Sequence, residues 1–318
     1  MRLLIAALAA SPLAIAPALL ALAAGAQAAS PAGKLCEATW VDAARGNREV
    51  PVRIRMPAGT GRAPVILFSH GLGGSLDAGT DWVEAWRAAG FITVNIQHHG
   101  SDDAIWRGKA RPMQGLRGAM NADQLTARAD DVHFVLDRFA RGGMTGSCDL
   151  GRADMAHIGM SGHSFGAQTT LAISGARYGG QAMMADPRIK AAIAFSPQPA
   201  KGQSDQAAFG AIRIPFFTVT GTKDSMVLLS GVTAADRLRP YRAMPPGAKY
   251  LLVIDGANHM MLGGQQMRMR KSSPPAGMER TVTDATTLFW RATLMGDAGA
   301  RAALNAFVPA KGDRFERK

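Results

Sequence analysis

Apolar residues along the chain fall into alternations and unbroken runs that mark out a regular series of elements. Val50, Val52, Ile54 and Met56 alternate with polar residues, the period of a strand with one face in water. A second strand-like stretch, 38–42, precedes it across Arg45-Gly46-Asn47, which predicts a hairpin. Unbroken apolar runs follow at 64–69, 91–96, 155–160, 189–195, 214–220 and 250–254. Such runs belong to strands buried on both faces, as in a parallel sheet. Between them lie helix-like stretches at 81–89 and 167–176, and a closing one at 281–295. Asn121 caps a further helix, in which Leu125, Val132, Val135, Leu136 and Phe139 recur at helical spacing. Residues 104–119, with Trp106, Arg111-Pro112 and several glycines, read as an irregular excursion. Strands alternating with helices predict an α/β fold, a mostly parallel central sheet with helices on both faces and an antiparallel start.

The N-terminus changes the picture by adding a compartment. Met1-Arg2, a Leu/Ala/Ile run to Ala24 and the small-x-small ending Ala26-Gln27-Ala28 read as a secretory signal peptide over residues 1–28. That leaves residues 29–318 as a single domain. The run is nearly long enough to span a bilayer, but Pro12, Pro17 and the cleavage pattern argue against a retained anchor. No later segment is long and apolar enough to cross, and no cysteine stands at the cleavage site to take a lipid. The mature chain is expected to be periplasmic or secreted, with no stable membrane insertion after signal cleavage. Losing Arg2 with the leader lowers the formal charge from +12 to +11. The basic residues are scattered, and only Arg268-Met269-Arg270-Lys271 approaches a cluster. This predicts a solvated basic surface and no nucleic-acid partner. The two cysteines, Cys36 and Cys148, are expected to form a disulfide in an exported protein. It would tie the N-terminal strand to the loop before the 155–160 strand.

Candidate chemistry gathers just past the strands, where ligands sit in such sheets. The 155–160 run leads into Gly162-His163-Ser164-Phe165-Gly166, a strand, sharp turn and helix of the G-x-S-x-G kind. Side chains at Gly162 and Gly166 would collide with neighbouring backbone, and the turn would present Ser164 alone at its tip. The 214–220 run leads into Gly221-Thr222-Lys223-Asp224, and the 250–254 run into Asp255-Gly256-Ala257-Asn258-His259. A serine hydroxyl needs a base to take its proton as it attacks; His259 is that base and later returns the proton to the leaving group. Asp224 would fix the imidazole tautomer and stabilise the imidazolium. The developing oxyanion would be met by the Phe165 N–H and by an N–H of the loop His70-Gly71-Leu72-Gly73-Gly74, assigned to Leu72. Asp255 is the rival acid; Asp224 is preferred because the acid normally comes from a strand other than the histidine's. His163 reads as structural, and His70 as a brace for its own loop. His98, His99, Asp102 and Asp103 read as a polar loop at the rim, since adjacent histidines point to different sides and no third-ligand spacing of a metal site stands out.

These motifs, together with Asp186-Pro187-Arg188-Ile189-Lys190 before a strand, resemble the α/β-hydrolase superfamily over residues of about 38 to 290. More closely, they resemble the bacterial "predicted dienelactone hydrolase" group, which is similar to platelet-activating-factor acetylhydrolases and to cutinase-like polyester hydrolases. The resemblance implies an α/β-hydrolase fold, with the triad on Ser164, Asp224 and His259 and the oxyanion donors on Leu72 and Phe165. Two departures stand out. Dienelactone hydrolases proper use a cysteine nucleophile, where this chain has Ser164. The animal acetylhydrolases carry their acid one strand earlier, where this chain has Phe195-Ser196-Pro197.

The expected activity is hydrolysis of carboxylic esters, short-chain or lipid-like, on a small-molecule substrate with water and no metal or cofactor. The stretch between Phe195 and Ile214 is too short for a large helical cap, so the site is expected to be covered only by the 100–119 excursion and the loop after His259. That loop is rich in methionine (Met260, Met261, Met267, Met269), a pointer to acyl or aromatic groups. A serine peptidase or amidase on the same triad, and a binding protein that keeps the fold without catalysis, remain as alternatives. An aspartate nucleophile is excluded by the serine at the elbow.

Overall fold

The structure, a computed structural model, describes residues 33–264 and 273–318. The leader expected over 1–28, Met267, Met269 and the basic run from Arg268 to Lys271 lie outside the described residues. In chain order the strands are β1 (Leu35–Asp42), β2 (Arg48–Arg55), β3 (Ala63–Ser69), β4 (Ile92–Ile96), β5 (Met144–Thr145), β6 (Cys148–Asp149), β7 (Ala153–His163), β8 (Ile189–Phe195), β9 (Phe216–Lys223), β10 (Lys249–Asn258) and β11 (Arg314–Arg317). The helices are α1 (Thr80–Ala88), α2 (Pro112–Ala119), α3 (Ala122–Arg141), α4 (Phe165–Ile173), α5 (Asp205–Phe209), α6 (Val227–Ser230), α7 (Arg239–Ala243), α8 (Met278–Leu294) and α9 (Ala298–Asn305).

Among the described residues the main sheet has nine strands in the order β1-β2-β4-β3-β7-β8-β9-β10-β11. From β4 through β10 every neighbour is parallel; β1, β2 and β11 pair antiparallel at the two edges. The α/β class and the antiparallel start read from the sequence therefore hold. The unbroken apolar runs are explained by burial on both faces. In β3, Ile66 and Phe68 join Trp82, Trp86, Phe289 and Trp290 of α1 and α8 on one side. Val65 and Leu67 join Val132, Leu136 and Phe139 of α3 on the other. α4 packs beyond α3 on that second face, with Ala167 and Leu171 against Ala192 and Ala194 of β8. Trp86 Nε1–H donates to Thr286 Oγ1 at 3.0 Å, which satisfies a polar group sealed between α1 and α8.

The hairpin turns where expected, with Gly46 at φ +64° and Asn47 at +59°. Asn121 caps α3 by accepting from the Gln124 N–H at 2.9 Å. The 104–119 stretch differs from the sequence reading. It carries a 3-10 turn at Asp103–Ile105 and the helix α2, which begins on a proline. Gly115 weakens the helical signal, yet a side chain there would run into the Ile105 carbonyl oxygen, so the glycine lets α2 lie on the 3-10 turn. The C-terminal α9 and β11 had no clear pattern in the sequence. Asp297 caps α9 through the Ala300 N–H at 2.9 Å, and Phe315 of β11 joins Phe217 and Tyr250 in an aromatic cluster. Between β8 and β9 the chain forms only the short α5. Among the described residues no helix is long and apolar enough to cross a membrane.

Cys36 and Cys148 are bonded, with Cα atoms 6.2 Å apart and a sequence separation of 112. The bridge joins β1 to the small β5–β6 hairpin ahead of β7. A loop of that length places the chain-entropy contribution at about 4–5 kcal/mol. Replacing both cysteines by serine is expected to lower the unfolding free energy by a few kcal/mol, read from denaturant titration of the oxidised and variant proteins. Superimposable titrations would show that the bridge adds nothing.

Candidate functional site

β7 ends in a turn too tight for side chains on either flank of Ser164. A Cβ on Gly166 would run into the Ser69 carbonyl oxygen and lie 2.8 Å from that of His70. A Cβ on Gly162 would run into the Gly166 carbonyl and lie 2.7 Å from that of Ser69. The turn forces Ser164 to φ +57°, ψ −112°, a conformation costing a non-glycine residue about 1–3 kcal/mol. The Ser164 N–H donates to Phe195 O at 2.9 Å, which ties the strained turn to the end of β8. α4 starts at the next residue.

The structure brings Ser164, His259 and Asp224 together in one hydrogen-bonded line. Ser164 Oγ lies 2.9 Å from His259 Nε2, and His259 Nδ1 lies 2.7 Å from Asp224 Oδ1. A carboxylate can only accept, so Nδ1 carries the ring proton and Nε2 is left to accept from the hydroxyl. The register of β10 breaks between Ile254 and Asn258, and Asn258 Oδ1 accepts from the Met260 and Met261 N–H groups at 3.1 and 3.2 Å. That turn sets His259 over the elbow. Asp224 also accepts from Thr220 Oγ1 at 2.7 Å. The rival Asp255 instead accepts from Thr222 Oγ1 at 3.0 Å and is exposed.

Arg237 was not singled out by sequence, yet it is wholly buried against the acid. Its Nε lies 3.2 Å from Asp224 Oδ1, and its Nη1 donates to the carbonyls of Ser196 and Pro197 at 3.1 and 3.2 Å. Burial alone would push the Asp224 carboxyl upward; the hydrogen bond from His259 and the Arg237 charge outweigh it and hold the carboxyl well below the usual carboxylate range. Arg237 Nη2 is 3.2 Å from His259 Nδ1. With the Nδ1 proton committed to Asp224, two donors face each other there, and the contact adds positive potential without a bond.

The loop after β3 passes beside Ser164: a Cβ on Gly71 would stand 3.4 Å from Ser164 Cβ. Its later residues are pinned, Gly73 N–H to Ser101 O at 2.8 Å and Gly74 N–H to Gly71 O at 3.0 Å. The Leu72 N–H finds no acceptor among the described residues, and its side chain packs against Leu125, Phe165 and Ala172. Phe165 is the first residue of α4, so its N–H has no intrahelical acceptor either. Phe165 follows Ser164 directly and Leu72 follows Gly71, which lies beside it; among the described residues neither N–H has an acceptor. Beyond Phe165 lies a cavity of about 300 Å³ whose walls include Leu125, Gln168, Tyr178, Gln198 and Phe209. After His259, Met260 is exposed and Met261 is buried in the core.

The histidines sort themselves by burial. His163 donates from Nε2 to His259 O at 2.9 Å, with the two rings 4.7 Å apart, so it props the base from beneath. His70 Nδ1–H donates to Gly71 O at 2.6 Å while Nε2 accepts from the His98 N–H at 3.0 Å. His98 corrects the sequence reading of a polar rim loop: it and Asp102 are buried. His98 Nε2 meets Ser69 Oγ at 2.8 Å and its Nδ1 meets Asp131 Oδ2 at 3.0 Å, a second serine–histidine–aspartate line inside the protein. Among the described residues no group of three or more His, Cys, Asp or Glu is arranged to hold a metal ion.

The chain matches no family model and no curated protein. What the site can do chemically therefore rests on its geometry: a hydroxyl hydrogen-bonded to an imidazole, a carboxylate that sets the tautomer of that imidazole, and two nearby backbone N–H groups without acceptors.

Burial, reinforced by Arg128, lowers His98 to about 4, and burial with the neighbouring His259 lowers His163 to about 3. An unfolded histidine titrates near 6.5. Between these values the unfolded chain binds protons that the folded chain does not, so this contribution is complete above about pH 6.5 and is lost as pH falls. Each such histidine removes up to about 1.4 kcal/mol per pH unit. The thermal midpoint is expected to fall steadily from pH 7 to pH 4.5, with a shallower slope in His98→Gln; a midpoint independent of pH over that range contradicts this.

Proposed function

We propose that this chain is a serine hydrolase of the α/β-hydrolase superfamily that cleaves carboxylic esters through an acyl-enzyme. The observation that carries the reading is the line from Ser164 Oγ to His259 Nε2 at 2.9 Å and from His259 Nδ1 to Asp224 at 2.7 Å, built on a serine held at positive φ. A binding role alone gives no reason to hold a hydroxyl in that strained position against a base.

In the proposed reaction Ser164 Oγ attacks the ester carbonyl carbon as its proton passes to His259 Nε2. The carbonyl oxygen becomes an oxyanion facing the N–H groups of Leu72 and Phe165; one such donor is worth about 3–4 kcal/mol of barrier. Collapse breaks the carbon–oxygen bond, and the alcohol leaves with the proton from His259. Water then attacks the acyl-Ser164, giving its proton to His259, and the free acid departs as Ser164 recovers its proton. Asp224 stays ionised throughout, as its depressed pKa favours.

The cavity beside Phe165 supports a short or compact acyl group, since about 300 Å³ corresponds to roughly ten water-sized groups. Phe165, Leu125 and Phe209 in its walls favour an apolar one. The Cys36–Cys148 bridge supports action outside the cytoplasm after removal of the leader.

Ser164→Ala is expected to abolish turnover of 4-nitrophenyl acetate and butyrate and labelling by a fluorophosphonate probe, while the fold, followed by circular dichroism, survives. Asp224→Asn should leave labelling slow and lower kcat by about 10⁴, the scale for a mis-set imidazole tautomer. Retained esterase turnover in Ser164→Ala would sink the proposal. Ala200 also lines the cavity, and Ala200→Trp is expected to lower kcat/KM for the hexanoate ester at least tenfold and leave the acetate within twofold; equal effects on both would detach the cavity from the substrate.

A further inference from the structure

Beneath the two N–H groups that flank Ser164 lies a guanidinium that the proposed mechanism does not use. Arg128 projects from α3 and is wholly buried. Among the described residues no carboxylate lies within ion-pair distance of it; Asp131 and Asp102 act on it only through space. Burial pulls its pKa down, to about 9, which leaves it charged at neutral pH. A buried charge without a counter-ion is rare and expensive, and persists only where its hydrogen bonds are complete.

Those hydrogen bonds go to every segment that shapes the cradle. Nη2 donates to Ser69 Oγ at 3.1 Å and to the His70 carbonyl oxygen, at the start of the loop that carries Leu72. Nη1 donates to Ser101 Oγ at 2.9 Å, and the Ser101 carbonyl in turn accepts the Gly73 N–H at 2.8 Å, just past Leu72. Nε donates to Thr169 Oγ1 at 3.0 Å, and Thr169 Oγ1 donates to the Phe165 carbonyl at 3.2 Å. The guanidinium carbon lies 4.7 Å from the centroid of the Phe165 ring, within cation–π range. One planar fork thus holds the loop on both sides of Leu72 and the first turn of α4 at Phe165.

The geometry points to Arg128 as the positioning residue of the oxyanion hole, fixing the Leu72 and Phe165 N–H groups relative to each other. This inference rests on the ester-hydrolase reading of Ser164. Its demand is on the transition state, because the hole is filled by the tetrahedral oxyanion and not by the ground-state ester. A residue that only stabilises the fold would lower the melting temperature without separating kcat from KM.

The test is Arg128→Lys, which keeps a positive charge and removes the planar fork, alongside Ser101→Ala, which removes one acceptor. Each is compared with the full wild-type chain for kcat and KM on 4-nitrophenyl butyrate. Inhibition by an alkyl trifluoromethyl ketone is measured in parallel, since its adduct with Ser164 places an oxyanion in the hole. Arg128→Lys is expected to lower kcat at least tenfold with KM within threefold, and to weaken the ketone by a similar factor. Ser101→Ala should show the same split at two- to fivefold, and it decides the matter if Arg128→Lys does not fold. Unchanged kcat and ketone affinity in the folded variants, or a loss confined to KM, overturns the inference. A wild-type chain with no turnover and no probe labelling of Ser164 sinks the hydrolase reading itself, before either variant is measured.

Discussion

A single carbonyl oxygen, that of Ser69, sets the terms for the centre of this molecule. It lies where any side chain on Gly166 would have to be, and it crowds Gly162 as well. The end of β3 and the turn after β7 can therefore meet only as bare backbone. The contact brings the loop after β3 alongside Ser164, starts α4 directly after the serine, and holds Ser164 in a backbone conformation that its side chain disfavours. The parallel register of β3 with β7, and of β7 with β8, supplies the rigidity that keeps the strain from relaxing. Packing of α3 and α4 on one face, and of α1 and α8 on the other, closes the sheet around it.

Two serine–histidine–aspartate lines in one chain show how little the hydrogen bonds alone decide. Ser69–His98–Asp131 has distances of 2.8 and 3.0 Å, against 2.9 and 2.7 Å for Ser164–His259–Asp224. Ser69, however, sits within β3, is fully buried, and is already engaged by Arg128. Ser164 is partly exposed, at a turn, next to the Phe165 N–H, which has no acceptor among the described residues. The inner line is closed off within the core; the outer one ends on a partly exposed hydroxyl. The environment of the acid differs as well. Asp131 is shared by Arg45, Arg48 and His98, whereas Asp224 faces one arginine and one histidine.

Much of the α/β framework was legible because each run between turns is buried on both faces, and the elbow because glycine is sterically required at Gly162 and Gly166. Asp224 was preferred over Asp255 because the acid normally comes from a strand other than the histidine's; in the structure Asp224 is the one hydrogen-bonded to His259, and Asp255 turns outward to Thr222. Arg128 and Arg237 were illegible. Each acts through partners tens of residues away in sequence, and an arginine on a helix or in a 3-10 turn carries no local sign of being buried. His98 was read as part of a polar rim loop once its spacing showed no metal site; it is buried against Asp131, on a helix that sequence spacing cannot dock. The helix α2 was hidden by the glycine that lets it pack, and β11 by its short, charged sequence.

The order in which the parts appear along the chain has a consequence for synthesis. Both cysteines, the braced loop after β3 and Ser164 itself all lie within the first 164 residues. Asp224 and His259 come later, His259 being 95 residues beyond the serine. A chain emerging N-terminus first can close its disulfide and form the β1–β2–β4–β3 edge while Asp224 and His259 are still unmade. A nascent or truncated product thus lacks both partners of Ser164, and the outer line is completed only when β9 and β10 join the sheet.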